Sequence, residues 1–190
     1  MKFSNFLAII YMETTNIVRE IVDMFKVNDV IIYGTQGVCQ IVGIEEKAVS
    51  GAKKNYFVLK PVNDNGSTIF APTDNEHVLK KMRRLLSKTE INSLIDSMPD
   101  EDVVWIKNDN DRKEHYRKIL TSGDHVELIK MIKAIYAHKK EREAEGKRLH
   151  MIDEHFFKDA EQTLYNEFQY VLKLNSKDEL MKYIFLRIEK

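Results

Sequence analysis

Of 190 residues only one is cysteine, Cys39. An intramolecular disulfide is therefore excluded, and the apolar setting GVCQIVGI makes Cys39 a small strand hydrophobe rather than a nucleophile. A reducing interior suits such a chain. Net charge is lacking too: 30 basic residues balance 30 acidic ones. No global pull toward nucleic acid or anionic lipid results, and only local clusters can supply one. Long apolar runs are absent. FLAIIYM (6–12) is too short to cross a bilayer; acids follow it and no small-residue cleavage site does, so neither a membrane span nor a signal peptide is read.

Catalytic signatures are missing as well. The turn GTQG (34–37) lacks the Lys-Ser/Thr of a phosphate cradle. His77, His115, His125 and His138 are scattered, and His150 and His155 stand five apart, on different faces of a helix. With no cysteine cluster and no third ligand, no metal site is expected. Ser, His and Asp occur in no nucleophile context. The acidic groups Glu45-Glu46 and Asp100-Glu101-Asp102 read as solvated surface. No enzyme, cofactor, internal repeat or low-complexity tract is read.

What is present divides in two, and a 43% apolar content is enough for packed cores. Residues 24–86 read as closely spaced strands: VIIY (30–33), VCQIVGIEEKAV (38–49) with a bulge at Gly43, YFVLKPV (56–62) and STIFAP (67–72), with a last strand within 78–86. Turns at 34–37, 50–55 and 63–66 join them into an antiparallel meander, which curls into a small barrel to hide its edges. The period then changes. Ser87 and Glu90 form a capping box for a short helix with Ile91, Leu94, Ile95 and Met98 on one face, stopped by Pro99. The acidic, amide-rich stretch 99–111 is the expected domain boundary. Helices follow over 111–121, from the Asp124/Glu127 cap through Tyr136, over 150–173, and from Ser176 to Ile188. HKKEREAEGKR (138–148) reads as a charged connection. The fold class is α+β, a small antiparallel barrel followed by a helical bundle.

Local charge departs from the neutral total. Between Lys107 and His150, twelve basic residues face eight acidic ones. Arg112, Lys113, Arg117 and Lys118 form one group, with the first three on one ridge; Lys139, Lys140, Arg142, Lys147 and Arg148 form another. Two readings stand: solvated helix faces, or a modest phosphate-contacting surface. The sole tryptophan, Trp105, sits between them in DEDVVWIKNDND. It either plugs a core beside Val103 and Val104 or is displayed for stacking.

FKVNDVIIYGTQGVCQIVGIEEKAVSGAKKNYFVLKPV (25–62) resembles the opening of the CarD family of bacterial transcription regulators. Val30, Tyr33, Gly37, Ile44, Glu45, Gly51, Tyr56, Leu59 and Lys60 fill that family's pattern, and Thr68 to Pro72 match its T-x-x-x-P strand. The likeness continues through Trp105, Arg112, Tyr116, Ser122-Gly123-Asp124, Leu149, Ala160 and Leu164. The resemblance implies a Tudor-like (SH3-like) barrel over 24–86 that docks on the RNA polymerase β subunit through Glu45, Lys47, Thr68 and Phe70. A short helix and linker (87–110) would lead to a helical domain (111–190) touching promoter DNA at the upstream edge of the melted bubble. Trp105 would enter the minor groove, without sequence-specific reading, and stabilise the open complex. A cytoplasmic monomer, associated with the nucleoid through polymerase, is expected. On this layout Trp105 is displayed, while Val103 and Val104 anchor the linker. Departures are visible: Lys47 and Phe70 stand where some relatives carry Arg, Asn28 where Gly is usual, and Glu154 where a Lys can occur. The loop from Trp105 to Arg112 is longer than in some members. Residues 1–23 precede the usual start near Met24, as an upstream start codon chosen in error or, alternatively, an added helix. The competing functional reading is a protein-only adaptor with Trp105 in a hydrophobic interface.

Overall fold

The computed structural model describes residues 24–49, 52–64, 66–100 and 103–189; the expectations for 1–23 lie outside them. The described residues divide into two compact units, one of 24–33 with 38–84, the other of 34–37 with 85–189.

The first unit is a sheet of five antiparallel strands: β1 (Val30–Tyr33), β2 (Val38–Val49), β3 (Ala52–Pro61), β4 (Ile69–Pro72) and β5 (Met82–Arg84), in the order β4-β3-β2-β1-β5. The expected last strand within 78–86 is mixed: a one-turn helix α1 (Glu76–Leu79), capped by the Asn75 side chain, precedes the short β5. The sheet is open, with no pairing between β4 and β5, so the expected closed barrel is not reached by hydrogen bonding. Its edges are blunted instead: β4 and β5 have four and three residues, and β4 ends on Pro72. One face carries the core of Ile31, Cys39, Ile41, Phe57, Leu59 and Ala71, sealed by Phe25, Leu79 and Met82. Alternation along each strand selects these residues, and burying one such large side chain contributes roughly 1.5–3 kcal/mol. Asn28 has φ +79°, a left-handed conformation that Asn tolerates and Gly adopts freely, which accounts for the kind of residue found there.

The second unit has five further helices: α2 (Lys88–Ser97), α3 (Asp109–Ser122), α4 (His125–Ala144), α5 (Met151–Leu172) and α6 (Lys177–Ile188). The Ser87–Glu90 capping box is present, and Asp124 and Ser176 cap α4 and α6. The expected boundary at 99–111 lies instead before α2, because Ile91 and Ile95 are buried among Leu164, Phe168, Leu180 and Ile184. Polar bonds reinforce this: Tyr183 Oη donates to Asn92 Oδ1 at 2.7 Å, and Arg187 Nη2 donates to Asp96 Oδ2 at 2.6 Å. The charged stretch 138–148 is largely helical. Strong helix formers carry α4 to Ala144, Lys139 and Lys140 pair with Glu143, and Gly146 at φ +70° turns the chain out. A second cluster joins Tyr116, Ile119 and Leu120 of α3 to Leu128, Met131 and Ile135 of α4 and Phe156 and Ala160 of α5. Helix α5 runs through both clusters. Two residues expected on apolar stripes are largely outside: Tyr136 is 51% exposed, with the Lys140 ammonium over its ring, and Ile152 is also exposed.

Candidate nucleic-acid and partner interfaces

Helix α3 starts earlier than its apolar pattern suggests. The Asn108 side chain accepts from the backbone N–H of Asn110 and Asp111, at 2.9 and 3.2 Å, and so caps the helix. The long segment IKNDND is therefore mostly first turn, and Arg112 comes back beneath Trp105.

Arg112 is buried, 1% exposed, and most of its donors are used inside the unit. Nε donates to Asp153 Oδ1 at 2.9 Å and Nη2 to Asp153 Oδ2 at 3.1 Å, a bidentate fork. Nη2 also donates to Asp109 Oδ1 at 2.9 Å, and Nη1 to the Ile106 carbonyl at 2.9 Å. Burial works against the guanidinium charge, but the bonds from Asp153 and Asp109 outweigh it and hold its pKa above the ordinary value. The same bond, with the charge behind it, holds the exposed Asp109 carboxyl below its ordinary value. Arg112 is thus withdrawn as a phosphate contact: it is enclosed, and four of its five N–H donors are used within the unit.

Trp105 is partly buried, between the two sequence readings. Its indole stacks on His138 of α4, centroids 3.8 Å apart and planes 19° from parallel, and the Arg112 guanidinium carbon lies 4.4 Å from the ring centroid. It packs against the Tyr116–Phe156 cluster while keeping part of its surface open. The expected anchors divide. Val103 is half-buried, but Val104 is 80% exposed, at the lip of an apolar cleft of ≈ 240 Å³ between α3 and α4.

The remaining basic candidates are on the surface. Several are neutralised locally: Lys118 by Glu114 at 2.7 Å, Lys139 and Lys140 by Glu143, and Lys147 by Glu145 at 2.8 Å. Arg142 donates to the Arg148 carbonyl at 3.1 Å, bringing those two together. Lys113, Arg117 and the Arg148 guanidinium have no ion pair among the described residues. The expected ridge of Arg112, Lys113 and Arg117 therefore splits: the first points inward and the other two keep to the outside.

Sequence reading missed His138, Asp153 and Glu167. A signal for the charged pair was available: Arg112 stands at i, i+4, i+7 with Tyr116 and Ile119, and Asp153 precedes Phe156 and Ala160 on the same stripe. Both charges thus occupy core positions. Glu167 is likewise buried, accepting from the Leu86 N–H at 2.8 Å and lying 2.9 Å from His125 Nε2.

In the β unit the register shifts between Ile41 and Gly43, placing a bulge at Val42. Past it, Gly43 pairs with Val58 and Glu45 with Tyr56, and Val58 pairs with Phe70. Glu45, Lys47 and Phe70 therefore share the face opposite the core. Lys47 Nζ sits 2.9 Å from the Phe70 ring centroid and 3.8 Å from Glu45 Oε2, and Phe70 remains 39% exposed. Thr68 is exposed on the approach to β4, outside the strand.

Among the described residues no group of three His, Cys, Asp or Glu is placed to hold a metal, and no helix is long and apolar enough to cross a membrane. No curated protein matches the chain. Residues 25–86, the β unit with its flanks, match the family described as CarD-like/TRCF RID domain. Those residues form a CarD-like RNA polymerase-interacting domain.

Proposed function

We propose that this protein is a non-enzymatic transcription regulator that bridges RNA polymerase and promoter DNA and stabilises the open complex. The observation that carries the reading is the family match of residues 25–86, an RNA polymerase-interacting domain. Docking on the polymerase β subunit falls to the face of Glu45, Lys47 and Phe70, with Thr68 beside β4. An aromatic and a cation already in contact form a compact amphipathic spot, the kind of surface that interfaces favour. The helical unit supplies Trp105 with Lys113, Arg117, Lys118, Lys139, Lys140, Arg142, Lys147 and Arg148.

A bubble edge is already unstacked, so a bulky side chain entering from the minor groove costs less there than in intact duplex. Contact with an unstacked base contributes about 1–3 kcal/mol, and about 1.4 kcal/mol is tenfold in an equilibrium. Trp105 presents the part of its ring left open by His138 and Arg112. Zero net charge and local ion pairs give free DNA little hold, while polymerase docking supplies the effective concentration. Trp105→Ala is expected to remain folded and to shorten open-complex lifetime several-fold while leaving polymerase pull-down intact; Lys47→Glu is expected to weaken the pull-down. An unchanged lifetime for Trp105→Ala would sink the wedge.

One observation favours a second reading, a protein-only adaptor. Val104 is exposed at an apolar cleft lined by Val103, Ile106, Ile119, Met131 and Ala134. This reading predicts no DNA protection by the helical unit in a footprint of the polymerase–promoter–protein complex.

A further inference from the structure

The geometry points to Arg112 as a positioning residue for Trp105: a buried cation whose task is to fix the angle and height of the indole, not to touch the nucleic acid. This rests on the wedge reading above, but its structural premise is independent of it. Arg112 grips the tryptophan segment in two ways. Its Nη1 donates to the carbonyl of Ile106, the residue after Trp105, at 2.9 Å, and its guanidinium lies 4.4 Å from the ring centroid. The guanidinium is itself held from α5 by Asp153, which is 0% exposed and takes both Nε and Nη2. With His138 supplying a stack from α4 at 3.8 Å, residues of three helices define where one side chain stands.

A buried ion pair of this kind is a poor way to gain stability, since apolar residues of similar volume usually serve as well or better. It is a good way to fix direction. A planar fork bound on two edges leaves the guanidinium little freedom to tilt, and a ring packed against it inherits that constraint. An aromatic that must meet a base step in one orientation gains from being set in advance, because the ordering is then not charged to binding.

The test uses the full-length chain, in which Trp105 is the only tryptophan and hence the only indole emitter. Two variants are compared with wild type: Arg112→Lys, which keeps the charge and loses the fork, and the apolar pair Arg112→Met with Asp153→Leu, which keeps core volume and retains the fold if the single variant does not. In a folded variant, acrylamide quenching of Trp105 is expected to rise about two-fold as the fork is lost. Open-complex lifetime should fall toward that of Trp105→Ala, and Arg112→Lys should cause no further loss in the Trp105→Ala background. Wild-type quenching and lifetime in a folded variant would overturn the proposal, as would an additional lifetime loss in that background. If Trp105→Ala itself leaves lifetime unchanged, the wedge reading fails, and the quenching result alone decides whether Arg112 positions the ring.

Discussion

The two units solve the same problem with different materials. The β unit buries hydrocarbon: Ile31, Ile41, Phe57 and Leu59 meet Cys39 and Ala71, with no charged residue in the cluster. In the helical unit Arg112, Asp153, Thr163 and Glu167 are enclosed, and these are all the buried polar or charged residues among those described. An apolar core is non-directional and forgiving of detail, while a buried ion pair has a defined geometry and a steep penalty when one partner is missing. The unit that carries the tryptophan is the one built on directional contacts.

Removing Asp153 should break the comparison most forcefully. Asp153→Ala leaves Arg112 buried without its main partner and should cost about 3–5 kcal/mol in urea unfolding. Joint replacement by Met and Leu should return most of that loss; if it does not, the pair is a stability element after all. In the β unit, Leu59→Ala should cost roughly 2–5 kcal/mol through lost transfer energy and a cavity. That loss should be insensitive to salt, and marked salt dependence would contradict an apolar account.

Alkali separates the units further. Burial pushes the Cys39 thiol up from an ordinary 9.0 to about 11. An acid that keeps its proton in the folded state but loses it when unfolded makes stability fall once pH passes the unfolded value. The fall ends at the folded value. The β unit should therefore lose on the order of 2–3 kcal/mol between those limits, and Cys39→Ala should flatten that part of a stability–pH curve. Burial likewise pushes Tyr116 and Tyr165 up to about 12, so the helical unit's corresponding loss should begin only near pH 10. The smallest effect has the opposite sign. The Tyr116 hydroxyl is buried without a hydrogen-bond partner, so Tyr116→Phe should be neutral or stabilising by up to about 1 kcal/mol in the same assay.

The same contrast governs what can be read from the sequence. β-Branched and aromatic content bounded by turn residues placed β1 and β2 at their observed limits. Capping chemistry, equally local, placed the starts of α2, α4 and α6. The helical connection at 138–148 was hidden by its charge, although its residues are good helix formers. Arg112 was misplaced because charge is a surface signal on average, and only its partner forty-one residues away makes burial tolerable. Trp105 has a tertiary explanation too: neither His138 nor Asp153 is near it in sequence.

The bulge at Val42 has a consequence for parity. In an unbroken strand Ile41, Gly43, Glu45 and Lys47 would all point the same way; one extra residue inverts the phase, so the first half of β2 addresses the core while Glu45 and Lys47 address the side of Phe70. The strand is thus written in two frames joined by a single-residue shift. Deleting Val42 would make the Ile41–Leu59 and Gly43–Val58 pairs consecutive in a regular ladder, so the core and the Glu45–Lys47–Phe70 group would keep their sides and only the local bend and twist of the bulge would be lost.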